Sequence, residues 1–128
     1  PIICDHSERK IVKVERFEKI IQSAMKQSLQ CHLPKLNAPI AFKEFILQEF
    51  TSQKFIAHCE ETDKKSFKSQ LRTNEDCVLL IVPEGDFSVK EIELALQHNF
   101  IAVTLGKTRL RTETAAIAAC HSVALINE

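Results

Sequence analysis

The chain has 128 residues, 27% of them charged, and a formal net charge of zero, which suits one globular domain and excludes a broadly basic nucleic-acid coat protein. Apolar residues make up 45%, yet no apolar run reaches the roughly 20 residues that span a bilayer. The five cysteines are scattered without C-x-x-C spacing, which favours reduced thiols in the cytoplasm over a disulfide framework or a metal site.

The first half of the chain predicts two helices and a buried strand. The opening Pro1–Cys4 resembles the end of a strand already in progress, so we expect the chain to be a piece of a longer protein. Apolar residues recur every three or four positions over Val14–Gln30, which predicts an amphipathic helix whose apolar face packs in a core or a dimer. A loop with two prolines is predicted over 33–39, a second helix over 41–50 and a short buried strand over 54–59.

The second half alternates strands and helices. Residues 77–82 form a continuous apolar run, which is typical of a strand buried on both faces. Ser88 and Glu91 have capping-box spacing and predict a helix that ends near His98. The other predicted elements are a little helix near 67–71, a strand over 100–105 and a helix over 112–126. This alternation indicates βαβ units in a parallel sheet.

Both glycines of the chain, Gly85 and Gly106, follow predicted strands and precede predicted helices. Ligands of open parallel sheets bind beyond the carboxyl ends of the strands. Glycine permits sharp turns and close approach of the backbone to a ligand. The positions of the two glycines therefore predict a small-molecule site.

The segment Leu79–Ala119, "LLIVPEGDFSVKEIELALQHNFIAVTLGKTRLRTETAAIAA", resembles the C-terminal signature of the RsmE family. That family comprises 16S ribosomal RNA (uracil-N3) methyltransferases of the SPOUT superfamily, with a GPEGG-type turn followed by an LG…LRTETA turn. Ser7–Lys10, "SERK", and Ser23–Ser28, "SAMKQS", are similar to further family elements.

The resemblance implies an α/β fold in which a parallel sheet flanked by helices ends in a C-terminal trefoil knot. It also implies S-adenosylmethionine as the cofactor, 16S rRNA as the substrate and a homodimer. Residues 1–128 would be the SPOUT-like methyltransferase domain, as a C-terminal fragment without the family's N-terminal PUA-like RNA-binding domain.

Three loops would then form the cofactor site, largely through backbone groups, and no metal is expected. The resemblance assigns to these loops His58, then Val82, Pro83, Glu84 and Gly85, and then Leu105, Gly106 and Leu110. Arg111 or Arg109 is the candidate for stabilising negative charge on the uridine. Glu84 or Glu113 could accept a proton only if it faces the substrate with a raised pKa, so the base stays unassigned.

Two residues depart from the family pattern, since Val82 and Asp86 replace its first and last glycines. Val82 adds a branched side chain where the backbone would pass close to the cofactor. Asp86 could face the cofactor or face solvent and begin the turn before Ser88. The alternative function is therefore a knotted, dimeric RNA-associated module with weak or no activity. Simpler readings also stay open, with Thr112 as an ordinary helix cap and His58 as a strand-end histidine.

Overall fold

A four-stranded parallel sheet lies at the centre of the computed structural model, which describes residues 1–8, 10–60 and 62–128. The strands are β1 (Ile2–Ile3), β2 (Ile40–Ala41), β3 (Gln53–Ala57), β4 (Lys65–Ser66), β5 (Cys77–Ile81) and β6 (Ile101–Thr104). The central sheet has the order β4-β6-β3-β5, and β1 pairs with β2 in a separate parallel pair. The α/β class and the parallel pairing predicted from the sequence are confirmed.

Five helices accompany the strands in the part of the chain that the structure describes. They are α1 (Val14–Gln27), α2 (Phe42–Ile46), α3 (Phe67–Gln70), α4 (Val89–Gln97) and α5 (Thr112–Ile126). In the described part of the chain, no helix has both the length and the apolar character needed to cross a membrane.

Strand β3 divides the core into two layers because its side chains alternate between the faces of the sheet. Ile56 points into a cluster that includes Phe42 and Ile46 of α2, whereas Phe55 points into a cluster with Phe67 of α3. Phe55 and Phe67 meet edge to face with ring centroids 5.3 Å apart. Helices therefore cover both faces of β3.

Two predicted helices are shorter than expected. The first ends at Gln27 rather than Gln30, and Leu29 follows with a positive φ of 55°. The second spans Phe42–Ile46; it begins after Ala41 because Ala41 pairs with β1, and it ends four residues earlier than predicted. The capping box at Ser88 is confirmed, and the last helix occupies its predicted range.

The prediction that residues 77–82 are buried on both faces is confirmed only in part, because both faces of β5 pack against the core clusters but most of its side chains are half-buried. In β5 only Leu80 is buried, and the other four residues are half-buried. The strand lies at one edge of the sheet and pairs only with β3 among the described strands. The strand buried on both faces is β3, whose Phe55 and Ile56 are fully buried.

Helix α1 has a well-formed apolar face that stays exposed. Phe17 is 47% exposed and Ile20 is 52% exposed, and no side chain of this helix is buried. The expected packing of this face in the core of the chain is therefore wrong, and packing in a dimer stays a prediction.

Candidate functional site

A cavity of about 330 Å³ lies where the parallel strands end. Its wall includes Ala57 at the carboxyl end of β3, Thr104 at the end of β6 and Val82 just after β5. After β3 the chain first forms β4 at one edge of the sheet, then β5 next to β3 at the other edge, and then β6 on the opposite side of β3, so the strand order reverses at β3. Crevices at such a point are the usual ligand sites of open parallel sheets, and this volume is typical of small-molecule pockets.

Three loops enclose this cavity. We call them the first loop (58–60 and 62–64, after β3), the second loop (82–88, after β5) and the third loop (105–111, after β6). A contact joins the second loop to the end of the third, since the Thr112 hydroxyl donates a hydrogen bond to the Val82 carbonyl oxygen at 2.9 Å. Thr112 is the first residue of α5 rather than its cap, which is Arg111, so the simpler reading of Thr112 as the helix cap is wrong.

Six of the ten residues assigned from the sequence line the cavity. They are His58, Val82, Leu105, Gly106, Arg109 and Leu110. A Cβ added at Gly106 would meet no atom within 4 Å, so the backbone is open to a ligand at this point. Whether these residues bind a cofactor stays a prediction.

The other four lie outside the cavity wall. They are Pro83, Glu84, Gly85 and Arg111. Gly85 has a different structural role, because an added Cβ would lie 2.8 Å from both the Cβ and the carbonyl oxygen of His6. The second loop therefore needs glycine to let the N-terminal segment pack against it.

Hydrogen bonds hold that N-terminal segment in place. The Asp5 N–H donates to Glu91 Oε1 at 2.8 Å, and the Ser88 hydroxyl donates to Asp5 Oδ2 at 2.8 Å. The "SERK" element, which resembles a family element, begins beside this contact, although its Arg9 lies outside the described residues.

Asp86 is half-exposed and does not line the cavity. Its carboxylate accepts hydrogen bonds from the Cys59 N–H at 3.2 Å and from the Phe87 N–H at 2.8 Å. It thus links the first loop to the second.

Burial and nearby charges set the protonation of the first loop. Burial lowers the pKa of His58, and Lys64 lowers it further, whereas Asp86 and Glu60 oppose this change. Burial likewise raises the pKa of the Cys59 thiol, and the Asp86 carboxylate adds to this effect. The first loop therefore presents a neutral imidazole and a protonated thiol near neutral pH.

Sequence reasoning missed several cavity residues, notably Lys64 and Lys107. Together with Arg109 they place three cationic residues in the cavity wall. Isolated lysines in polar loops give no sequence signal that distinguishes them from solvated surface residues.

Comparisons with known proteins show which family this chain belongs to. The model of a family described as "RNA methyltransferase domain" matches residues 1–124. A protein from Mesomycoplasma hyopneumoniae named ribosomal RNA small subunit methyltransferase E is 33% identical over 106 residues, which cover 82% of this chain and 45% of that protein.

Solved structures are similar to this chain as well. A crystal structure of a probable rRNA-methyltransferase from Porphyromonas gingivalis has a TM-score of 0.91 at 38% identity, and the match covers 98% of this chain and 54% of that one. Ribosomal RNA small subunit methyltransferase E from Neisseria gonorrhoeae, bound to S-adenosyl methionine, has a TM-score of 0.79 at 30% identity and covers 98% and 52%. The chain thus spans about half the length of the relatives it matches.

Proposed function

Because this chain belongs to the RsmE family of ribosomal RNA methyltransferases, we propose that its cavity binds S-adenosylmethionine and that the protein methylates 16S rRNA. The finer proposal is that the methyl group is transferred to N3 of a uridine. The substrate and the cofactor are supported by the names of relatives, one of which was solved with S-adenosyl methionine bound.

One observation carries the proposal, namely the cavity at the carboxyl ends of β3 and β6 with a buried histidine in its wall. His58 is 6% exposed, and neither ring nitrogen has a hydrogen-bond partner among the described residues. A buried polar group without a partner costs about 1–3 kcal/mol, which a ligand in the cavity would recover.

The other wall residues fit the same cofactor. Leu105 and Leu110 offer apolar surface for an adenine ring, and the open backbone at Gly106 leaves room for close approach. Val82 replaces a family glycine and lines the cavity, but only 7% of this residue is exposed, because its side chain packs in the core. The residues present therefore suit the cofactor that the family uses.

When bound, S-adenosylmethionine supplies an activated methyl group on a sulfonium, so the protein's task is to position the uracil and to favour loss of its N3 proton. Arg109 is exposed, lines the cavity and can stabilise the negative charge that develops on the uracil. Arg111 is exposed beyond the wall and is the second candidate. Glu84 and Glu113 are exposed and do not line the cavity, so neither is assigned as a base.

Three further features belong to the proposal. The exposed apolar face of α1 supports a homodimer, because a face of this kind is seldom left in water. The link between Val82 and Thr112, which joins loops of different strands, is compatible with a C-terminal trefoil knot. A cytoplasmic location agrees with the free cysteines.

Calorimetric titration of the chain with S-adenosylmethionine tests the proposal, and His58→Ala and His121→Ala provide a matched pair. His121 is exposed on α5 and lies outside the cavity wall. We expect His58→Ala to weaken binding about tenfold, as expected for loss of one buried hydrogen bond, and His121→Ala to bind like the unchanged protein.

Incubation with small ribosomal subunits and tritium-labelled S-adenosylmethionine, followed by nucleoside analysis, then tests the reaction. Labelled 3-methyluridine would support the finer proposal, and a label on another nucleoside would overturn it. Binding without any transfer would favour the alternative of an RNA-associated module with weak activity. An absence of binding would contradict the function itself.

A further inference from the structure

One peptide group in the cavity wall is held at both ends by opposite charges. The carbonyl oxygen of His58 accepts a hydrogen bond from Lys64 Nζ at 3.0 Å. The N–H of Cys59, which belongs to the same peptide group, donates to Asp86 Oδ2 at 3.2 Å. The cation thus lies at the negative end of the peptide dipole and the carboxylate at its positive end, and charge-assisted hydrogen bonds of this kind are the stronger ones.

The carboxylate of Asp86 is itself fixed by its backbone. Asp86 has a positive φ of 65°, a conformation that Asp and Asn tolerate better than most residues. Its N–H donates to the Pro83 carbonyl oxygen at 3.0 Å, and its carboxylate also accepts from the Phe87 N–H. The RsmE pattern has glycine here, so a carboxylate at this position is a departure of this chain from that pattern.

The clamped peptide group follows directly on the Cα that carries the imidazole of His58. His58 is buried and lines the cavity, and both its ring nitrogens lack partners among the described residues. A neutral imidazole offers one donor and one acceptor, but it can meet a ligand only if the backbone holds the ring in place.

We propose that Asp86 and Lys64 are positioning residues that clamp the His58–Cys59 peptide group and so hold the buried imidazole ready to hydrogen-bond the ligand of the cavity. The ligand identity rests on the proposed function, whereas the clamp rests on the hydrogen bonds of the protein alone. Asp86 and Lys64 therefore act through His58.

A double-mutant cycle tests whether the effect passes through His58. Asp86→Gly keeps a residue suited to positive φ but removes the carboxylate, and Lys64→Met removes the ammonium. We expect each to weaken binding of S-adenosylmethionine about tenfold, as for loss of one hydrogen bond to a charged group. In a His58→Ala background the same changes should alter binding less than twofold, and a persisting tenfold effect would overturn the proposal.

Two variants control for fold and charge. Asp86→Asn tolerates the same backbone and keeps one oxygen that can accept a hydrogen bond, so it should bind more tightly than Asp86→Gly. Lys68→Met removes an exposed cation from α3, outside the cavity wall, and should bind like the unchanged protein. Equal weakening by Lys64→Met and Lys68→Met would count against the clamp.

A second measurement needs no ligand. Titration of the His58 ring followed by NMR reports which charges face it, because Lys64 lowers its pKa whereas Asp86 and Glu60 raise it. Lys64→Met should move the pKa of His58 up, Asp86→Gly should move it down, and Lys68→Met should leave it unchanged. If S-adenosylmethionine fails to bind, opposite shifts would still support the placement of Lys64 and Asp86 beside the His58–Cys59 peptide group, while the proposed function fails. Unchanged values in both variants would refute the clamp.

Discussion

Substitution of each of the two glycines by alanine should have opposite consequences for stability. Gly85→Ala would bring a Cβ within 2.8 Å of both the Cβ and the carbonyl oxygen of His6. Gly106→Ala would add the same methyl group where no atom lies within 4 Å. Neither glycine has a positive φ, so the backbone permits alanine at both positions and only the packing differs.

The magnitude follows from the overlap. Atoms in van der Waals contact lie about 3.5–4.0 Å apart, so the new Cβ forces the N-terminal segment to move. That segment is held by the hydrogen bonds of Asp5 to Glu91 and Ser88, and overpacking of this kind costs about 1–3 kcal/mol. For 128 residues, one kcal/mol corresponds to roughly 4 °C in melting temperature, so we expect Gly85→Ala to lose about 4–12 °C.

Urea and thermal denaturation of the two variants and the unchanged chain provide the assay. Gly106→Ala should lie within about 0.5 kcal/mol of the unchanged chain, or slightly above it because alanine lowers the entropy of the unfolded state. Equal stability of the two variants would refute the inference that Gly85 is required by contact with His6.

Three other predictions concern catalysis, assembly and pH. Arg109→Ala should lower the rate of methyl transfer by about 100-fold, and by more than Arg111→Ala does, because of these two arginines only Arg109 lines the cavity. Both substitutions should change the free energy of unfolding by less than about 0.5 kcal/mol. Single-turnover rates and urea unfolding check this, and a larger rate loss in Arg111→Ala would reverse the assignment. Ile20→Glu should dissociate the proposed dimer while leaving the fold intact, because Ile20 is 52% exposed within one chain. Analytical sedimentation measures this, with Glu18→Lys as the control. An Ile20→Glu variant that stayed dimeric would contradict the prediction. Burial, with the nearby Glu91, raises the pKa of the Cys4 thiol from 9.0 to about 12, so the stability gained from keeping this thiol neutral is present below pH 9 and is lost as the pH rises toward 12. The free energy of unfolding should therefore fall less steeply with rising pH in Cys4→Ala than in the control Cys31→Ala. Parallel curves would contradict the burial of Cys4.

Local patterns allowed much of this fold to be predicted. The capping box at Ser88 and Glu91 and the alanine-rich last helix depend on neighbouring residues, and the structure confirms both. The edge position of β5 and the pairing of β1 with β2 depend on long-range contacts that no local pattern carries. For that reason residues 77–82 looked fully buried in the sequence, whereas most side chains of β5 are half-buried.

The candidate site shows the same limit. Cavity residues on the first and third loops, such as His58 and Leu110, could be identified because they follow strands in a recognisable signature. The hydrogen bond from the Cys59 N–H to Asp86 joins residues 27 positions apart. Lys64, which donates to the His58 carbonyl oxygen, lies in a polar segment that carries no sequence signal of this contact. Side-chain direction at these positions is a property of the packed loops rather than of the motif.

The central claim is that the cavity between the first and third loops binds S-adenosylmethionine. Backbone amide NMR spectra of the chain, recorded during titration with S-adenosylmethionine, test it most directly. We predict shifts concentrated at His58, Cys59 and residues 105–110, with little change along α1. Saturable shifts elsewhere, with those residues unmoved, would contradict the claim.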